Sequence, residues 1–502
     1  MTTQHAKQSH PPTQKQPIQV VWFKRDLRLS DHAPLVEATN SSLPTLLLYI
    51  FEPDLLQDGH YDARHWRFVW QSLQNLNNKL EPDGHAIQYV IEDAVSVFQN
   101  LHNKFGIAQI VSHEETGIGK TYQRDIAVAD FCTSNQITWN EFPTNAVVRG
   151  LMHRRDWNKR WYSRMKAARA QPDIGKLIPF RLPAKLLESL RCQNLPVEVT
   201  TDHHLFQVGG VDEAQRCLHN FVHQRAANYN HHISKPEKSR TGCSRLSPYI
   251  TWGNLSLRQV YQYVREHYKE SSFKWHLRSF ESRLRWHCHF IQKFETEPRM
   301  EFENMNRGYD DIRNKVNPHF VDAWKSGHTG FPLVDACMRC VEQTGYINFR
   351  MRAMLVSFLT HHLWQDWTTG AVHLGRCFLD FEPGIHYPQF QMQAGTSGPN
   401  SVRVYNPVKQ SQDHDPEGVF IKQWIPELRN IPAEQIHEPW TLSSMEQQMY
   451  GCTIGEDYPQ RLVDHKKTYK KAVDVLWGKK SENEVKKENK RILKKHVKPR
   501  RS

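Results

Sequence analysis

The sequence predicts two folded parts in one fold class: an α/β domain on a doubly wound five-stranded parallel sheet, followed by an all-α domain. Three observations carry this expectation. Residues 18–142 alternate short runs rich in Val, Ile, Leu, Tyr and Phe with longer polar stretches of helical length. Such alternation implies a parallel sheet with helices on both faces. From about residue 206 the apolar periodicity is almost wholly helical. Residues 351–359 are apolar except for Arg352 and Ser357, and a helix that is apolar all round belongs in a core.

Taken in order, residues 1–17 (MTTQHAKQSHPPTQKQP) are polar and lack an apolar core or cleavage site, so a disordered leader is expected rather than a signal peptide. The strands of 18–142 read IQVVWF, TLLLYIFEP, AIQYVIED, AQIVSHEE and QITWNEF. Ligands of such sheets sit at the carboxyl ends of the strands, which nominates residues 23–28 and 113–117. No GxGxxG follows the first strand, so a nicotinamide-binding reading has no support. Residues 143–205 are expected as a connector. Its basic, aromatic run MHRRDWNKRWYSRMKAARA suits a solvated face or a DNA contact, and its prolines end helices. Residues 206–478 form the helical domain and 479–502 a basic tail.

The 502 residues include 15 Trp, 23 Phe and 17 Tyr, ample for large cores. No run of 18 apolar residues occurs, which excludes a membrane span. The nine cysteines are scattered, and without a secretion signal they are expected reduced. The chain is therefore expected in the cytoplasm or on the nucleoid, not secreted, and monomeric. Cys337 and Cys340 form a lone CxxC within a helix, and His287, Cys288 and His289 point different ways on another, so no metal site is expected. The net charge is +13. The tail, with eleven Lys and Arg against three Glu, supplies +8 of it, which fits contact with a polyanion such as DNA.

Residues 327–407 are the stretch on which the rest depends. Arg350 and Arg352 stand at the entrance of the apolar helix, where an unpaired guanidinium would cost several kcal/mol. Asp380 and Glu382 in the following loop are the candidate partners, as a structural ion pair or as part of a site.

Five motifs in order carry a resemblance: VVWFKRDLRLSDH (20–32), SRLSPYITWGNLS (244–256), GHTGFPLVDACMR, LDFEPGIHYPQFQ and VYNPVKQSQDHDPEGVFIKQWIPEL. Over about residues 18–480 the chain resembles the DNA photolyase and cryptochrome family, as a divergent member. The resemblance implies an antenna domain at 18–142, with a folate or deazaflavin chromophore near Glu115, and an FAD-binding domain at 206–478. It assigns Ser244, Arg245, Leu246 and Ser247 to the flavin diphosphate, with Tyr229 beside them and Phe280 against the flavin. Arg352 and Asp380 match the ion pair beside the isoalloxazine. Glu382 stands where Asp is usual, and His386 takes the position facing flavin N5, commonly Asn.

The same resemblance places Trp286 at the lesion. Arg283 and His287 replace a Glu and an Arg there, Phe349 replaces an Asn, Ala353 a Met or His, and Met392 a lesion-stacking Trp. Arg350 is expected near the lesion or its phosphates. Phe390 replaces the flavin-proximal Trp of the electron-transfer chain and Trp367 matches its second member, with Trp364 an extra candidate; slower photoreduction than in relatives with three tryptophans is expected. His386, Trp286 and Trp367 are the candidate catalytic residues. The implied activity is light-driven splitting of cyclobutane pyrimidine dimers in UV-damaged DNA, by an electron from excited reduced FAD to a flipped-out lesion. The alternatives are a cryptochrome-like blue-light sensor that binds FAD without repair, and a six-four photolyase, whose paired histidines would fall at Phe349 and Ala353. The tail is expected to be auxiliary, its loss costing repair only some salt-sensitive DNA affinity.

Overall fold

The computed structural model of the protein describes residues 16–497, so nearly all of the expected leader lies outside the described residues. Five parallel strands, β1 (Ile18–Phe23), β2 (Pro44–Phe51), β3 (Ile87–Ile91), β4 (Ile107–His113) and β5 (Thr138–Phe142), lie in the order β3-β2-β1-β4-β5. Side chains alternate across a strand. Ile18, Val20 and Trp22 pack with Phe98 and Val128 on one face, while Val21 and Phe23 enter, on the other, a core continuous with the helical half. Burial on both faces is why β1 is apolar apart from Gln19, whose side-chain amide is bonded to Ala38 O and Thr45 Oγ1. Strand order reverses between β1 and β4, the place where ligands of such sheets gather. The two nominated strand ends do meet there: Asp26 pairs with His113 Nδ1 at 2.7 Å and His32 Nε2 at 3.0 Å.

The expected connector is not a separate element. Ile178–Pro179 adds a two-residue parallel strand to the start of β2, and Leu182, Leu186 and Leu190 join the apolar cluster under the sheet. Two residues are too few to show a period, so this pairing leaves no mark in the amino-acid pattern.

Three helices frame the site: Lys274–Thr296, Phe349–Ser357 and Pro383–Ala394. Asn348 caps the second, its side chain accepting from Met351 N at 3.3 Å. Glu382 caps the third, with Pro383 at the first helical position, where its missing N–H costs nothing. A Cβ on Gly384 would lie 2.8 Å from the Ile291 Cα, so only glycine lets the first and third helices approach this closely. No helix among the described residues is long and apolar enough to cross a membrane.

The expectation of an auxiliary tail is corrected. Residues Asn483–His496 form a helix. Val485 packs with Leu476 and Tyr309, and Ile492 enters the main core. Arg491 and His496 converge on Glu297 at 2.9 and 2.7 Å. Val485, Asn489, Ile492 and His496 recur at helical spacing, a face that a count of charges conceals. Burial pushes the Glu297 carboxyl up, but His496, Arg299 and Arg491 more than offset this and hold it at about 2. A depressed carboxyl contributes stability above its ordinary value of 4.5 and loses it as pH falls from there towards 2. Ile492→Ala is expected to destabilise by about 2–4 kcal/mol in urea denaturation, and Glu297→Gln to flatten the loss of stability between pH 4.5 and 2.

Candidate cofactor and lesion site

A cavity lies where the Phe349–Ser357 helix and the 378–382 loop meet the Pro383–Ala394 helix. Ala353, Val356, Leu374, Phe378, Phe381, Ile385 and Phe390 form its apolar walls. His386, Gln389, Phe390 and Gln393 reach it together because positions i, i+3, i+4 and i+7 share a helix face. Arg352 is bonded through Nη2 to both Asp380 oxygens at 2.9 and 3.0 Å, through Nε to Ile347 O at 2.9 Å, and lies 3.9 Å over the Phe378 ring. This supplies the carboxylate that a cation in an apolar helix requires.

His386 donates from Nε2 to Ala371 O at 2.8 Å, which fixes its tautomer. Burial pushes its pKa down to about 3, so it is neutral at pH 7. Burial, then the nearby Arg25 charge, likewise lowers His287 to about 4. Two polar atoms in the cavity wall, His287 Nδ1 and Gln389 Oε1, are buried without a protein partner. Arg25, from the loop after β1, donates to Phe381 O at 2.8 Å and pairs with Glu382 at 3.3 Å. Burial raises the Glu382 carboxyl and Arg25 opposes that rise.

Of the sequence-nominated cofactor residues, Ser247, Arg352, Asp380, Glu382 and His386 line this cavity. Tyr229, Ser244, Arg245, Leu246 and Phe280 do not. Tyr229 and Phe280 are buried against Phe221, with ring centroids 5.6 and 4.8 Å from it. Arg245 adopts φ +57 and lies 3.7 Å over Tyr346. The helix that follows, Ser247–Thr251, has only five residues, and Leu246 gives it no side-chain cap.

Among the lesion candidates, His287 and Phe349 line the cavity, and Phe349, 49% exposed, stands at its mouth. Arg283 is exposed one helical turn before His287. Two of these candidates do not line the cavity. Trp286 is 46% exposed against His289 and Phe290, because one residue along a helix turns the side chain away from the face of His287. Met392, six residues after His386, falls off the cavity-facing side for the same reason. Trp367 is buried, its Nε1 donating to Asn304 Oδ1 at 2.8 Å. Trp364 carries Arg313 and Lys471 over its ring at 4.9 and 5.4 Å, which makes its oxidation harder.

Arg350, beside Phe349, belongs to a second groove with Arg403, Lys409 and Lys466; among the described residues no carboxylate lines it, though Lys409 reaches Asp413 at 3.3 Å. The sequence pattern did not show this groove, because its cations come from three separated segments. Gln389 and Gln393 were also missed, although their spacing from His386 signalled them. Glu115 borders two small cavities at the carboxyl ends of β1 and β4. Its carboxylate accepts from Arg124 at 2.7 Å.

A family profile described as the FAD binding domain of DNA photolyase matches residues 280–478, and one described as DNA photolyase matches 19–162. The chain belongs to the DNA photolyase and cryptochrome family. It is 28% identical to the deoxyribodipyrimidine photo-lyase of Alkalihalophilus pseudofirmus over 92% of this chain and 98% of that one. The crystal structure of a Synechocystis cryptochrome superposes with a TM-score of 0.81 at 25% identity, over 93% of this chain and 100% of that one. An archaeal photolyase from Sulfolobus tokodaii, solved with two FAD molecules, gives 0.72 at 25% identity over 92% and 99%.

The family's cofactor is FAD, and the cavity fits it. Apolar and aromatic walls suit a flat ring system, and the unpartnered His287 Nδ1 and Gln389 Oε1 offer hydrogen bonds that the protein leaves unmade. Arg352→Met would strand the buried Asp380 carboxylate, at a cost of about 3–5 kcal/mol. A lower melting temperature and a lower flavin-to-protein absorbance ratio are the expected readouts, with Asp380→Asn milder.

Proposed function

We propose that the protein is a light-dependent DNA-repair flavoprotein that splits cyclobutane pyrimidine dimers. The observation that carries this reading is contiguity: Phe349 at the cavity mouth adjoins Arg350 in the cationic groove. A strand held by Arg350, Arg403, Lys409 and Lys466 through its phosphates runs past the mouth, where one flipped-out lesion enters. The bound FAD supplies, when reduced and excited by blue light, the electron that opens the dimer and takes it back afterwards.

The chain's own residues prepare that exchange. Arg352, Asp380, Glu382 and Ser247 are read as holding the cofactor, with His386 and Gln389 beside its ring. Phe349 and His287 are read as the lesion's walls, with Arg283 near its phosphates. Phe390 and Ala353 keep the space apolar. His386 and His287 are both neutral at pH 7, so neither stands ready as a proton donor; this supports the cyclobutane substrate over the six-four lesion. The relative named a photo-lyase supports repair. The likeness to a cryptochrome supports the second reading, a blue-light sensor. The cavities beside Glu115 are read as the place of an antenna chromophore, folate or deazaflavin, as the second FAD of the Sulfolobus structure suggests by analogy.

The test is blue-light repair of a defined thymine dimer by reduced, FAD-loaded protein, with a dark control and a six-four substrate in parallel. Light-dependent splitting of the thymine dimer alone is expected. Repair of neither lesion, with FAD bound, would assign the chain to the sensors. Arg350→Ala with Arg403→Ala is expected to weaken DNA binding and reduce the salt slope by about two, roughly one per phosphate contact.

A further inference from the structure

Phe390 stands where an oxidisable ring would be expected beside the cavity, and a phenylalanine ring holds its electrons too tightly to serve as a relay. The neighbouring imidazole of His386 is no better. One ring further in lies a phenol. Tyr387 is 2% exposed, its ring centroid 5.5 Å from His386 and 6.1 Å from Trp367, and it stacks on Phe294 at 5.8 Å. Its hydroxyl lies 2.5 Å from His60 Nε2, and His60 Nδ1 lies 2.6 Å from Asp58 Oδ1. The His60 ring stacks on Phe381, a cavity wall, at 5.3 Å.

The direction of these bonds follows from charge. Asp58 accepts from His60 N at 3.0 Å, from His60 Nδ1, and from Lys120 Nζ at 2.8 Å. Burial pushes its carboxyl up, but these donors more than offset that and hold it ionised, well below the usual range. In the neutral imidazole, an ionised Asp58 places the proton on His60 Nδ1, and Nε2 is then the acceptor for the Tyr387 O–H. Glu301, Tyr61, His386 and Lys120 are the other titratable groups near this relay.

An oxidised phenol is a strong acid, and a buried tyrosine that lost an electron but kept its proton would be an isolated charge in an apolar core. The triad removes that obstacle. We infer that Tyr387 is a redox-active relay of this protein: on illumination it gives one electron to the oxidised flavin of the bound FAD and its phenolic proton to His60 Nε2. The products are a neutral tyrosyl radical, a flavin reduced by one electron, and an imidazolium paired with the Asp58 carboxylate. A soluble thiol later returns the electron and His60 returns the proton. Trp367 is the next oxidisable ring along. The relay requires FAD but not the repair reading, so it stands or falls separately from DNA repair.

The test illuminates oxidised, FAD-loaded protein in the presence of dithiothreitol, follows flavin reduction by absorbance, and freezes samples for electron paramagnetic resonance. Wild type is expected to give a tyrosyl signal and slower reduction in D₂O. Tyr387→Phe, which keeps the ring on Phe294, is expected to lose that signal and reduce its flavin about tenfold more slowly or worse. His60→Asn is expected to keep the flavin, slow its reduction and lose the D₂O effect. Should Tyr387→Phe bind flavin poorly, 3-fluorotyrosine incorporated into the wild-type chain is expected to alter the radical's hyperfine pattern. Reduction of Tyr387→Phe at the wild-type rate, a tryptophanyl radical lost only in Trp367→Phe, or a spectrum unmoved by fluorotyrosine would each overturn the relay.

Discussion

The Arg25 guanidinium is the point on which the two halves of the molecule register. It leaves the end of β1, lies 5.3 Å over Trp252, donates to Thr251 O and Phe381 O, and pairs with Glu382. Burial alone would disfavour its charge; Glu382 and the neighbouring groups more than compensate, so the cation is kept. Glu382 also accepts from Gly384 N and so starts the Pro383–Ala394 helix. One carboxylate thus fixes both the seam between the halves and the helical phase that turns His386, Gln389 and Phe390 into the cavity. A shorter Asp at this position would have to give up one of these bonds or draw the loop inwards.

The rest of the cavity is a set of compensations. Phe349 and Phe390 make apolar walls, and the uncharged hydrogen-bonding capacity of the lining rests on Gln389, Gln393 and His287. The two histidines are held neutral chiefly by burial, with the Arg25 charge adding to the effect at His287. The cavity therefore carries little charge beyond the Arg352–Asp380 pair and Glu382.

The sheet, the helical half and the Arg352–Asp380 pair were legible because each follows from a local rule: strand period, helix period, and the demand of an apolar helix for a counter-charge. The legible part ends where contacts join distant segments or depend on helical phase. Trp286 and Met392 carry the family positions, yet one step of rotation takes them off the face used by His287 and His386. The helix Asn483–His496 was hidden under its lysines, and the strand Ile178–Pro179 is too short to have a pattern. Tyr387 and His60 are separated by 327 residues, and nothing local to either residue announces the other.

The span of the Arg25 contacts sets the order of manufacture. Its acceptor Phe381 O lies 356 residues downstream. At ribosomal rates of about 5–20 residues per second, roughly twenty to seventy seconds pass before that carbonyl is even synthesised. Until then Arg25 lacks both Phe381 O and its Glu382 counter-charge. Glu297 waits in the same way for His496, 199 residues further on. The cavity draws its lining from Ser247 to Gln393, so no FAD site exists until that much of the chain has been made.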